Sequence, residues 1–217
     1  MATSKATLSK NSKIIIDTKA PKTVAVSFDS ATKKMSRATG SWITDGIKVG
    51  DTLFTTDASN PGPLTVSAVV ALDVTFAEAV VTVASANKTI TAFTKVSEVV
   101  KIDTPEQQTG DIDVTNLEST AKEYKNSLPD GGTIAGEGNF VPDDIGQQLL
   151  MQLRGESEPR AMKIIVPPDA DSSGYMWGFD GLVKSAKNDI AVDSKVNFQF
   201  SIRVSGAVTE TVLAPTG

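Results

Sequence analysis

The sequence predicts a mainly β protein: a two-sheet β-sandwich or barrel with one flanking α-helix, plus a small all-β inserted domain. Three observations predict it. Residues 196–205 alternate apolar and polar with a period of two, the mark of a strand with one face on a core. A single stretch, about 142–154, carries a helical stripe between a start and a stop signal. Residues 24–85 are rich in Val, Thr and Ala, cut by turn residues and free of helical periodicity.

Met1–Lys13 is rich in Ser, Thr and Lys and lacks the apolar core of a secretory signal, so it reads as a flexible arm. Ile14–Asp17 is a short β-branched run suited to a strand, broken by Lys19-Ala20-Pro21-Lys22. Val24–Phe28 alternates, and Leu64–Val66, Asp73–Phe76 and Val80–Val83 supply later strands. Gly40-Ser41-Trp42, Asp45-Gly46, Val49-Gly50-Asp51 and Asn60-Pro61-Gly62-Pro63 are the turns between them. The inserted domain is thus expected over 22–86, inside a discontinuous core domain of 1–21 and 87–217. Thr89–Phe93 and Val96–Ile102 resume the strands of the core domain, and Asp103–Gly132 is polar with one alternating piece, Asp111–Val114. Thr133–Phe140 reads as a strand weakened by its interior glycines.

Pro142, Asp143 and Asp144 suit the first turn of the helix, where a missing N–H is harmless and negative charge opposes the dipole. Ile145, Leu149 and Leu153 fall at i, i+4 and i+8 with Leu150 beside them, a stripe that packs the helix on a sheet. Arg154 and Gly155 suit its end. Met162–Pro167, Tyr175–Ser185 and Lys195–Ser205 are strands; in the last, Val196, Phe198, Phe200, Ile202 and Val204 point one way. Long paired strands so patterned are not stable with bare edges, hence a closed or two-layered architecture.

Composition bounds the chemistry. There is no cysteine and no histidine, which removes disulfides, thiolate sites, the commonest general base and the commonest metal ligand. With 26 acidic and 21 basic residues the net charge is −5, and no concentrated Lys/Arg surface offers a tight site for duplex DNA. No apolar run reaches the roughly 18 residues of a membrane span. The sequence therefore points away from an enzyme, a cofactor, a metal and membrane insertion.

Three ordered segments carry a family resemblance: Asp111-Ile112-Asp113-Val114-Thr115-Asn116-Leu117-Glu118-Ser119-Thr120-Ala121-Lys122-Glu123-Tyr124, Leu128-Pro129-Asp130-Gly131-Gly132, and Pro142-Asp143-Asp144 with Gly146-Gln147-Gln148. With Arg160–Ile164, Gly178–Gly181 and the final strand in the same order, the chain resembles the major tail tube proteins of long, non-contractile-tailed bacteriophages over residues 8–20 and 88–207. The resemblance implies a structural virion protein, made in the host cytoplasm without a signal peptide, whose hexameric rings stack into a hollow tail tube. It implies as partners further copies of itself, a tape-measure protein, tail-tip or baseplate proteins, tail-terminator proteins, and DNA passing transiently through the lumen. It also assigns ring stacking to the 104–132 loop, with Asp111, Asp113, Asn116, Glu118, Glu123 and Tyr124 as the contact residues. The segment 22–86 departs from the family pattern and resembles a small β-module of other phage structural proteins, expected on the tube's outer surface. An acidic and neutral polar lumen would agree with the net charge.

Other readings of the same residues are weaker. Asp111 and Asp113 share a strand face, as acid/base or Ca²⁺ chemistry would use, but a calcium loop needs more oxygen ligands at tight spacing. Gly131-Gly132 and Gly136-x-Gly138 lack the lysine and strand-to-helix placement of a phosphate cradle. Trp42 and Trp177 lie in alternating contexts that favour core or interface roles over ligand platforms. Whether Gln147 and Gln148 serve assembly or only cap and pack stays open. The alternative functions are a tube subunit of a contractile or secretion-type injection machine, and a monomeric β-sandwich adhesin or carbohydrate-binding module.

Overall fold

A computed structural model describes residues 12–18, 20–116, 118, 120–169, 172–190 and 195–215. The fold is mainly β, with one α-helix among the described residues. The chain forms two compact units, Ile15–Lys95 and, for its described part, Met1–Ile14 with Val96–Gly217. We call them the barrel unit and the sheet unit.

Seven strands precede the second division: β1 (Lys13–Asp17), β2 (Lys22–Asp29), β3 (Lys34–Ser36), β4 (Thr52–Thr55), β5 (Leu64–Val69), β6 (Asp73–Phe76) and β7 (Val83–Lys95). The order β2-β3-β6-β5-β4-β7 closes on itself because β2 also pairs with β7, giving a six-stranded antiparallel barrel without free edges. Val26, Phe28, Met35, Trp42, Leu53, Val66, Val74 and Phe76 fill it. The Trp42 indole N–H donates to the Leu72 carbonyl at 3.0 Å, and the Arg37 guanidinium lies 4.0 Å from the ring centroid. This cation–π contact is buried, for Arg37 is only 6% exposed.

The divisions fall at 14/15 and 95/96, whereas the sequence places the domain edges at 21/22 and 86/87. Continuity of β7 is the reason: it pairs with β2 up to Ile90, then with β4 from Ile90 to Phe93, and with β1 from Phe93 to Lys95. Two short strands at Val80–Val83 and Thr89–Phe93 are therefore replaced by one long strand. Lys13 opens β1 instead of ending an arm, while residues 1–11 of that arm lie outside the described residues.

The sheet unit adds β8 (Val99–Ile102), β9 (Asp111–Asp113), β10 (Tyr124–Asn126), β11 (Thr133–Asn139), α1 (Ile145–Gln152), β12 (Arg160–Val166), β13 (Gly174–Asp189) and β14 (Asn197–Leu213). Strands β8-β11-β14-β13-β12 follow one another in a single antiparallel succession, and β9 and β10 form a separate hairpin. Phe198, Phe200, Ile202 and Val204 are all buried, on the side predicted by their period; Val196 precedes β14 and is half-buried. The glycines of β11 make room for this core. A Cβ on Gly136 would sit 2.2 Å from the Phe200 ring, so the missing side chain is what lets the ring lie flat.

The helix is shorter than the expected 142–154. Asp144 is its N-cap, accepting from the Gln147 N–H at 2.8 Å, so Pro142 and Asp143 lie before the helix and not in its first turn. Its buried face is Gly146, Gln147, Leu150 and Leu153, turned from the expected stripe: Ile145 is 43% exposed and Leu149 half-buried. The helix packs on β13.

Candidate assembly surface

The six residues assigned to stacking lie in one exposed hairpin segment. Tyr124 is opposite Asp113 and Asn126 opposite Asp111, so these four side chains share a face; Ile112 and Lys125 share the other. Asp113 and Asn116 also shape the turn. Asp113 Oδ1 accepts from the Thr115 N–H at 2.9 Å and from its hydroxyl, and these bonds, the hydroxyl first, hold the Asp113 carboxyl below the usual carboxylate range. Asn116 Oδ1 accepts from the Glu118 N–H at 2.8 Å, and the Glu123 N–H donates to Thr115 Oγ1 at 3.0 Å. The carboxylates are spread along the hairpin, and no group of three or more His, Cys, Asp or Glu suited to a metal occurs among the described residues.

The base of the hairpin is tied to the sheet. Gln108 and Asp130 exchange backbone bonds, the Ser127 N–H donates to the Gly110 carbonyl while the Gly110 N–H donates to Ser127 Oγ, and Arg203 of β14 pairs with Asp130 at 2.5 Å. The Gly132 N–H donates to Asp130 Oδ1, which gives the Gly131-Gly132 turn its role without any anion. Leu128 within this base is 89% exposed, and beyond it Tyr124 is 54% and Ile112 50% exposed. A two-stranded hairpin is marginal alone, and Tyr124 and Ile112 stand on its two opposite faces.

Besides the hairpin's own edges and the far half of β13, two stretches of open sheet edge stand out among the described residues. β8 pairs only with β11 and exposes Val100. The end of β14 runs past the last β11 pairing, Thr133 with Arg203, and from Thr209 to Leu213 it is bonded to β13 alone. On that stretch Tyr175 and Trp177 are half-buried with ring centroids 4.5 Å apart, and the Tyr175 hydroxyl donates to Glu210 Oε2 at 2.6 Å. That bond to a carboxylate pushes the phenol pKa up. Trp42, by contrast, is core.

The β14 residues offered as a core or inter-subunit strand are buried inside the unit, and the face available for contact is the opposite one. Gln147 is the functional-looking residue whose role sequence left open. It is 1% exposed; its Oε1 accepts from the Val141 N–H at 3.0 Å, and its Nε2 donates to the Asn139 and Ser97 carbonyls at 2.8 and 3.0 Å. Gln148 is exposed and only reaches the Pro142 carbonyl. No sequence signal separates these neighbours. Among the described residues no helix is long and apolar enough to cross a membrane.

A family model described as "Phage tail tube, TTP, lambda-like" matches residues 79–214, from the approach to β7 through the end of β14. Among solved structures, a chain described as "Tail of empty GTA particle computed with helical refinement, C6 symmetry" is similar at 17% identity and a TM-score of 0.44, covering 55% of this chain and 86% of that one. No curated protein matches.

Proposed function

The chain belongs to the lambda-like phage tail tube family, a structural component of the phage virion, and from that premise we propose that it builds the tail tube by closing into hexameric rings that stack. The observation that carries this reading is the family match over 79–214, which contains every strand of the sheet unit from β8 onward. A ring needs a heterologous interface that closes and a stack needs a second one that does not. The open edges at β8 and at the end of β14 supply candidates for the first; the hairpin with Tyr124, Ile112 and Leu128 supplies one for the second. In the stack, Asp111, Asp113, Asn116, Glu118, Glu123 and Tyr124 face the neighbouring ring. The tube surrounds a tape-measure protein, meets tail-tip and terminator proteins at its ends, and later conducts DNA.

The barrel unit fits the role of an outer decoration. Its sheet is closed, so it offers no strand for edge-to-edge pairing and leaves ring formation to the sheet unit. Negative-stain electron microscopy of the purified chain, at low and high concentration and with a tail-tip complex added, tests the reading. Stacked hollow rings of six are expected. Monomers under all three conditions would refute it.

A further inference from the structure

We infer that Arg154 is an edge guard: from the end of α1 it closes the free half of β13 to strand pairing, which leaves each copy one bare edge to offer and one to receive. The inference rests on the tail-tube reading and deepens it by naming a residue that decides which edges meet. A ring closes only when every copy presents two complementary surfaces. Beyond the three-residue strands of the hairpin, three stretches of the sheet unit stand out as bonded on one side alone among the described residues. They are β8, the end of β14, and β13 after Gly181, where its pairing with β12 stops. A third edge as open as the other two would let copies branch into a sheet instead of closing.

The β13 stretch is the one that is blunted. Arg154 Nη1 donates to the Ala186 carbonyl at 2.9 Å, and Nε donates to the Met151 carbonyl at 2.9 Å, one of those that a helix end leaves unsatisfied. Strand carbonyls lie close to the plane of their sheet, and β14 occupies one side of β13. The guanidinium therefore meets Ala186 from the open side, where a pairing strand would lie. Held between helix and strand, it also sets a cation at the helix C-terminus, where charge of that sign is favourable. Two residues earlier the register slips between Val183 and Ser185, a bulge whose extra residue is the exposed Lys184. Lys187 and Asp189 keep exposed charge along the rest. The other two edges are treated differently. β8 also bulges, but its extra residue is Val100, 67% exposed. Residues 209–213 keep an unbroken register with β13 and expose Val212. The other three arginines pair with Asp45, Glu156 and Asp130, so neither of these stretches carries a guanidinium. Apolar, unguarded edge is thus kept where copies must join, and the charged, capped edge lies where they must not.

The absence of native cysteine makes the test clean. Ser185→Cys, exposed beside Ala186 on the guarded stretch, is compared with Ser185→Cys/Arg154→Ala on unassembled subunits treated with a short bis-maleimide. The guarded chain should stay monomeric. Loss of Arg154 should raise covalent dimer by about tenfold, the weight of one charge-assisted hydrogen bond. Hydrogen exchange across 145–152 should meanwhile change by less than about twofold, because Leu150 and Leu153 still bury the helix. Equal dimer in the two backgrounds would mean that Arg154 guards nothing; dimer that rises only together with exchange of α1 would make Arg154 an anchor for the helix. Either overturns the inference. By electron microscopy, Arg154→Ala should replace closed tubes with irregular sheets and aggregates, and regular tubes in ordinary yield would overturn it too. Absence of tubes from the unsubstituted protein would remove the tube reading, while cross-linking of free subunits would still decide whether the edge is guarded.

Discussion

Replacing Gln147 with leucine keeps the size of the side chain and removes the polar atoms that it brings to the entry of α1, while the Asp144 cap stays. Three partners lose their bonds at once: the Val141 N–H and the Ser97 and Asn139 carbonyls. Each intramolecular bond contributes about 1 kcal/mol net, and a buried group left without a partner costs about 1–3 kcal/mol. Water can reach part of this site, since Val141 and Asn139 are only half-buried, so the lower figure applies to each and the total is about 3 kcal/mol. With a urea m-value of about 2 kcal/mol/M, the midpoint for the sheet unit should fall by about 1.5 M. Urea titration read by hydrogen exchange of peptides covering 133–154 measures it, with the barrel unit's peptides as an internal reference. Gln148→Leu is the control and should shift the midpoint little, because it loses one exposed bond. A loss below about 0.5 kcal/mol in Gln147→Leu, or equal losses in the two variants, would refute the argument that burial and three bonds separate them.

Other outcomes follow from the barrel unit. Arg37→Ala should destabilise it by about 3 kcal/mol, because it strips the Trp42 face and leaves the partly buried Asp45 with Lys22 alone; Arg37→Lys should not restore it, which thermal unfolding of the unit will show. Asp57, 3% exposed, is held below its usual range first by its bond to Lys88, against the opposing effect of burial. Its contribution is therefore complete above the unfolded value of 3.8 and is lost as pH falls through the lower folded value. Asp57→Asn should remove this contribution at neutral pH and flatten the acid limb of the barrel unit's stability curve, measured as unfolding midpoint against pH. Asp17 and Phe93 are directly paired, so replacing residues 18–92 with a two-residue Asn-Gly turn should leave a continuous β1–β7 hairpin. That excised chain should still form tubes by electron microscopy; a folded chain that no longer assembles would sink the outer-decoration role.

Local pattern determined much of this protein. The period of two in 198–204 assigned the buried side of β14 correctly, because strand geometry alternates side chains whatever the partners. One helix near 145–152 was legible for the same kind of reason, as was a protein with neither histidine nor cysteine chemistry. The ordered segments around Asp111–Tyr124 and Pro142–Gln148 carried the family resemblance that the match over 79–214 bears out. What only the tertiary structure decided depends on pairing between distant strands. Whether β7 is one strand or two rests on three different partners, β2, β4 and β1, none of them near it in sequence. Closure of the barrel and the Arg37 contact with Trp42 are set by register between strands distant in sequence. Gln147 differs from Gln148 by one step around a helix whose phase is fixed by the Asp144 cap and by the surface beneath it. Periodicity reports which residues share a face; only packing decides what that face meets.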